Sequence, residues 1–271
     1  EEKANALGAL VPQYAQGPAE LPKGLAQPHA AARKAVSLAP GLGSAHAAVA
    51  SVAQSRLDFS TSLRETRTSL ALSPQDADVL GAAAITLAYF DDSDEGVQLA
   101  DRAIALDPLN ARLYRRKCEA LIWLRRYPES IDAWRKGLAP APQRRSVHIY
   151  VGDALLLLGK HAQAKAEYDA LAADDPFRLA RLALHAARTG DRKAAEGEMA
   201  QLRQQYGVTY SYQYGQIYAQ LGEADRAFAE FDNAIAAKDS GLVYFKGDPF
   251  LDPIRGDPRY TALLGKLNIP G

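Results

Sequence analysis

Five prolines set the scale on which this chain is built. Pro40, Pro74, Pro108, Pro142 and Pro176 follow one another at a constant interval of 34 residues. The whole chain holds 15 prolines in 271 residues, so five in one register mark a repeated unit rather than scattered turns. Such a period is the signature of a solenoid, in which each unit hides its apolar face against the next. Proline cannot donate a backbone amide and disfavours helical geometry in the residue before it. Each of the five therefore ends a helix, and the phrases before them are alike: AARKAVSLAP, ETRTSLALSP, ADRAIALDP, AWRKGLAPAP and EYDALAADDP. An Ala-rich first helix lies upstream of each, and its small residues let two helices approach closely.

The unit 145–178 is the cleanest. It sets Gly152 where the first helix crosses its partner, Leu155 in the shared core and Gly159 at the turn, followed by Ala164, Tyr168, Leu171 and Pro176. Cys118 falls in the same crossing place as Gly152 and Gly215, which makes it a packing residue. The turn-and-helix phrase of Gly159 recurs at Gly190 and Gly222, so two variant units follow the regular ones. These positions resemble the tetratricopeptide family over almost the whole chain, with Leu171 replacing that family's usual Ala. The resemblance implies an all-α fold: a right-handed superhelix of about seven helix–turn–helix repeats with atypical ends. The expected organisation is a single solenoid domain over 1–271. A degenerate first repeat covers 1–42, four 34-residue repeats cover 43–178, two variant repeats cover 179–240, and 241–271 caps the end. In the cap, Asp248-Pro249, Asp252-Pro253 and Asp257-Pro258 each set Asp as an N-cap with Pro at the first helical place. A helix over 258–267 then presents Tyr260, Leu263, Leu264 and Leu267 to the last repeat.

The tail DSGLVYFKGDPFLDPIRGDPRYTALLGKLNIP is similar to the ends of tetratricopeptide regions in bacterial multidomain regulators, both winged-helix transcriptional activators and adenylate cyclases. That similarity implies the sensing or partner-binding half of a larger protein. The compartment would be cytoplasmic, or periplasmic if the parent spans a membrane. The opening EEKANALGAL, with no initiator Met and no signal-peptide order, reads as a fragment or a processed chain. The longest uncharged stretch, 35–55, is broken by Pro40, Gly41 and Gly43, so no membrane segment is expected.

Chemistry is sparse. No G-x-S-x-G, H-E-x-x-H or phosphate-loop motif occurs, and His29, His46, His148, His161 and His185 stand singly in sequence. The reading is a non-catalytic protein with no cofactor and no metal. Equal numbers of basic and acidic residues, 32 each, leave no global basic footprint, and direct nucleic-acid contact is not expected. Charge is segregated locally, however. Residues 77–110 hold seven acids against Arg102, and residues 111–144 hold nine bases against Glu119, Glu129 and Asp132. Adjacent repeats pairing across their interface account for much of this pattern. The rest bears on binding. In the tetratricopeptide family the first helices line a concave groove, and here the equivalent places include Asp78, Arg112, Arg115, Glu119, Trp123, Asp153, Arg188, Tyr212 and Gln216, with Arg116 and Tyr150 beside them. Arg112, Arg115 and Arg116 lie within about one helical turn and are able to hold a carboxylate or phosphate. Trp123 and Tyr150 offer flat apolar anchors. The Lys and Asn pair by which chaperone-binding members clamp a terminal carboxylate is missing from every repeat. The expected partner is a protein or peptide in the groove, or another domain of the same polypeptide. A small-molecule ligand near Arg112, Arg115, Trp123 and Tyr150, or self-association, are the alternatives.

Overall fold

The computed structural model describes residues 26–90, 93–138 and 145–269, and these form fourteen α-helices and no strand. The leading half of the first repeat, Pro142 and the charges of Asp91, Asp92 and Arg144 lie outside the described residues. Helix α1 (Ala26–Leu38) packs on α2 (Gly43–Ser55). Six helical hairpins follow: α2 with α3 (Phe59–Leu72), α4 (Ala77–Phe90) with α5 (Glu95–Leu106), α6 (Ala111–Trp123) with α7 (Tyr127–Leu138), α8 (Arg145–Leu157) with α9 (His161–Asp169), α10 (Pro176–Thr189) with α11 (Arg192–Tyr206), and α12 (Ser211–Gln220) with α13 (Ala224–Ala237). First helices of successive hairpins also touch, α2 with α4, α4 with α6 and α10 with α12, so the hairpins stack as an all-α solenoid. Beyond α13 come two 3₁₀ turns, Ser240–Tyr244 and Pro249–Ile254, and a last helix, α14 (Pro258–Lys266).

Each hairpin closes where small residues meet. Ser130 Oγ donates to the Cys118 carbonyl at 3.0 Å, and Gly152 lies so close under Tyr168 that any Cβ would collide with its ring. Cys118 is fully buried, and burial pushes its thiol well above the ordinary range. The turn between the helices puts one residue at positive φ in five units: Leu57 at 62°, Arg125 at 59°, Gly159 at 74°, Gly190 at 85° and Gly222 at 75°. Only at the three glycines is that conformation free of side-chain cost. Helix starts are capped by Asp58, Asn110, Asp175 and Asp191, whose side chains accept from the amides of Thr61, Arg112, Phe177 and Ala194. Such a cap contributes about 1 kcal/mol.

Pro40, Pro74 and Pro108 follow helices that end at Leu38, Leu72 and Leu106. Pro176 departs from the expected role. Helix α9 stops at Asp169, and Pro176 opens α10 behind the Asp175 cap. Its preset φ and missing amide suit the first helical place, where that amide would be unpaired anyway. Repetition also extends to polar pairs: His46 Nδ1 meets Glu65 at 2.8 Å, and His148 Nδ1 meets Glu167 at 2.8 Å in the equivalent place. His161 and His185, separate in sequence, come together with ring centroids 6.1 Å apart. Among the described residues no three metal-ligating side chains form a group, and no helix is long and apolar enough to cross a membrane.

Candidate functional site

The first helices of the hairpins, α2, α4, α6, α8, α10 and α12, carry the residues expected to line the groove. In the structure much of that groove is occupied by the chain itself. The cap expected over 241–271 divides in two. Helix α14 covers the last hairpin, with Tyr260, Leu263 and Leu267 buried, Leu264 half-buried, and Arg259 and Lys266 paired to Asp225 at 2.7 Å and Asp232 at 2.9 Å on α13. Residues 239–256 instead turn inward, and the Ser240–Tyr244 turn reaches α12, α13 and, at the far end of the solenoid, α2.

Specific contacts hold this tail. Asp239 accepts from the amides of Gly241 at 2.8 Å and Tyr212 at 3.1 Å, tying the first turn to the start of α12. Tyr244 stacks on Trp123 with centroids 5.3 Å apart and meets Tyr89 edge-on at 5.2 Å. Lys246 Nζ donates to the Phe90 carbonyl at the C-terminal end of α4, at 2.8 Å, where the helix dipole favours a cation. Asp248 is fully buried. One carboxylate oxygen caps the Pro249–Ile254 turn through the Phe250 amide at 2.9 Å; the other accepts from Tyr212 Oη at 2.7 Å and Gln216 Nε2 at 2.5 Å. Gln220 Nε2 donates to the Phe250 carbonyl at 2.6 Å, and Arg125 reaches Asp252 at 2.7 Å. Asp252 is therefore an ion-pair partner of Arg125 and Arg255 rather than the expected helix cap, and Pro253 lies inside its 3₁₀ turn.

The expected groove residues thus divide by task. Trp123, Tyr212 and Gln216 hold the tail. Asp153 sits beneath it, accepting from Tyr168 Oη at 2.8 Å and paired with Arg181 Nε at 2.9 Å. Burial pushes its carboxyl up to about 6, with Arg181 and Tyr168 pulling the other way. Burial also raises Asp239, to about 6, and Asp248. Tyr150 stacks on Trp134 at 5.8 Å, and exposed Arg188 donates to Gln220 at 2.8 Å. Tyr244 and Tyr89 were not expected at the groove, and Asp248 was expected only as a cap, without its bonds to Tyr212 and Gln216. Tyr89 occupies in its unit the place Trp123 holds in the next, which was the available signal; the apolar residues Val243, Tyr244, Phe245 and Phe250 are more than an end cap requires.

Toward α2 the groove stays open. Here Arg112, Arg115 and Arg116 gather on α6, while Asp78 on α4 is exposed and gives its carbonyl to Arg116 at 3.2 Å. Glu119 is 1% exposed and holds Arg115 at 2.5 Å. Lys117 and Arg126 pair with Asp101 at 2.5 Å and Asp94 at 2.8 Å on the preceding hairpin, so part of the charge segregation is repeat-to-repeat pairing.

Comparison with known proteins bears on this geometry. No protein-family model matches the chain, and no curated protein matches it. Solved structures do. One is PilF of Pseudomonas aeruginosa, 22% identical over 76% of this chain and 94% of that one, with a TM-score of 0.51. Another is a human IFIT1 dimer with m7Gppp-AAAA, 17% identical over 90% of this chain, with a TM-score of 0.60. This chain spans 64% of the IFIT1 chain. The fold is tetratricopeptide-like. At these identities the likeness speaks to fold alone.

Proposed function

We propose that this tetratricopeptide-like solenoid is a non-catalytic protein–protein interaction scaffold whose concave face receives extended polypeptide. One observation carries the reading: a stretch of ordinary chain, residues 239–256, already lies in the groove as a ligand would. It is recognised through aromatic stacking on Trp123, a buried carboxylate held by Tyr212 and Gln216, and a backbone carbonyl held by Gln220. Buried aromatic anchors are enriched among the residues that carry interface binding energy, and hydrogen bonds to a charged group are the stronger ones. A partner would extend from the tail toward α2, meeting Asp78, Arg112, Arg115 and Arg116. The placement of this region within a larger bacterial regulator rests on the resemblance of its tail.

The test is binding in trans. A labelled peptide spanning residues 239–256 is titrated into the full chain and into the full chain carrying Tyr244→Ala and Asp248→Ala, with circular dichroism verifying that the helices persist. The expected result is binding to the variant, whose own tail is loosened, little binding to the wild type, and loss of binding when Gln216→Ala is added. A folded variant that takes no peptide would overturn the reading.

A further inference from the structure

The open end of the groove contains a cavity of about 220 Å³ between α2, α3, α4, α6 and the Ser240–Tyr244 turn. Its charged lining consists of Arg112, Arg115, Arg116 and Glu119, three cations against one anion. The single carboxylate is committed to Arg115. Arg116 is anchored by the Asp78 carbonyl, a neutral acceptor. The half-buried Arg112 has no side-chain hydrogen bond or ion pair among the described residues. Among the described residues no carboxylate therefore bonds Arg112 or Arg116, Asp78 and Glu119 attracting Arg116 only at longer range, and a recess partly shielded from water disfavours such cations until an anion enters. Burial, together with the charges of Arg115 and Arg112, pushes the Arg116 guanidinium down to about 10, with Asp78 and Glu119 pulling the other way.

We propose that this cavity is a binding site for a small dianion, a phosphate monoester or short dicarboxylate. Charge sets the first requirement, since two guanidiniums without a bonded carboxylate favour an occupant with two negative charges. Guanidinium forks match the planar carboxylate and the phosphate alike. Size sets the second. The cavity is smaller than the roughly 300–1,000 Å³ of sites for drug-sized ligands and equals the share of liquid occupied by about seven waters. The space exists because Ala47, Ala50 and Ala83 keep short side chains along α2 and α4. Position sets the third. Ser240, Val243 and Tyr244 form one wall, so a long peptide entering here would have to displace the tail, whereas a small anion seats beside it. An occupant would bridge the repeat helices to the tail and tighten the tail's docking. A partner extending toward α2 would also meet Arg112 and Arg116, but the tail docking on Tyr212, Gln216 and Asp248 is tested separately, so failure of either reading leaves the other distinguishable.

Thermal unfolding of the full chain in inorganic phosphate and in succinate, against NaCl at equal ionic strength, tests it. Both salts can stabilise proteins by exclusion from the surface, so Arg112→Ala serves as the control; it removes no observed side-chain bond and is expected to fold. The expected result is a rise in Tm of about 3–5 °C at ten times Kd for at least one anion, lost by three-quarters or more in Arg112→Ala. A response to phosphate alone assigns a phosphate monoester, and a response to succinate alone a dicarboxylate. No rise beyond NaCl, or an equal rise in wild type and variant, overturns the proposal. Slower amide exchange over 240–246 in the responding anion is the second readout. Exchange there that is unchanged or faster, despite a Tm shift, would contradict a site walled by the tail.

Discussion

At the residue scale, the strongest constraints are close approach and backbone sign. Gly152 sits where a methyl group would strike the ring of fully buried Tyr168. Overpacking of this kind costs about 1–3 kcal/mol, so Gly152→Ala is expected to lower stability by that amount in denaturant titrations. Lys238 presents the opposite case. It is exposed, caps α13 at a φ of 54°, and makes no side-chain hydrogen bond or ion pair among the described residues. Lys238→Gly is expected to raise stability by about 1 kcal/mol, or Tm by about 2–4 °C. Gly152, Gly159 and Tyr168 were legible from spacing because a repeat reuses one geometry. Leu57 and Arg125 were not, since neither side chain announces the left-handed backbone that the turn imposes on it.

At the element scale, the tail is set by buried carboxylates. The Asp239 carboxyl accepts two backbone amides and has no cation among its bonding partners, and burial raises it to about 6. A raised carboxyl favours the protonated form in the folded state. The stability it contributes is present at low pH and is lost as pH rises through about 6. The tail is therefore held more tightly by this group at pH 5 than at pH 7.5, by about tenfold in its docking equilibrium. Comparing wild type with Asp239→Asn isolates it: the wild type is expected to gain relative to the variant on going from pH 7.5 to 5. A difference between them that stays flat would contradict the assignment. The caps at Asp248 and Asp257 followed from their Asp-Pro sequences. The path of the chain after Asp239 did not, because an apolar segment that covers an end and one that fills a groove have the same composition. What separates them is the pairing of Asp248 with Tyr212 and Gln216, 36 and 32 residues away.

For the whole molecule, the repeat period dictated the stack of hairpins, and the groove followed from it. The contents of the groove did not follow, since they depend on contacts such as Lys246 to Phe90, 156 residues apart. Filling by the tail makes the two ends of the solenoid cooperate: α2 near one end and α12 and α13 near the other contact one short turn. Loosening that turn should soften the assembly without melting its hairpins, each of which keeps its own apolar seam. Tyr244→Ala removes stacking on Trp123 and the edge contact with Tyr89, a loss of about 1–3 kcal/mol. Amide hydrogen exchange read by mass spectrometry, on the full chain with and without Tyr244→Ala, tests the central claim most directly. The account predicts that residues 240–254 of the wild type exchange as slowly as α12, and that the substitution speeds that stretch while α4 through α7 stay protected. A tail that already exchanges like free chain in the wild type would contradict it.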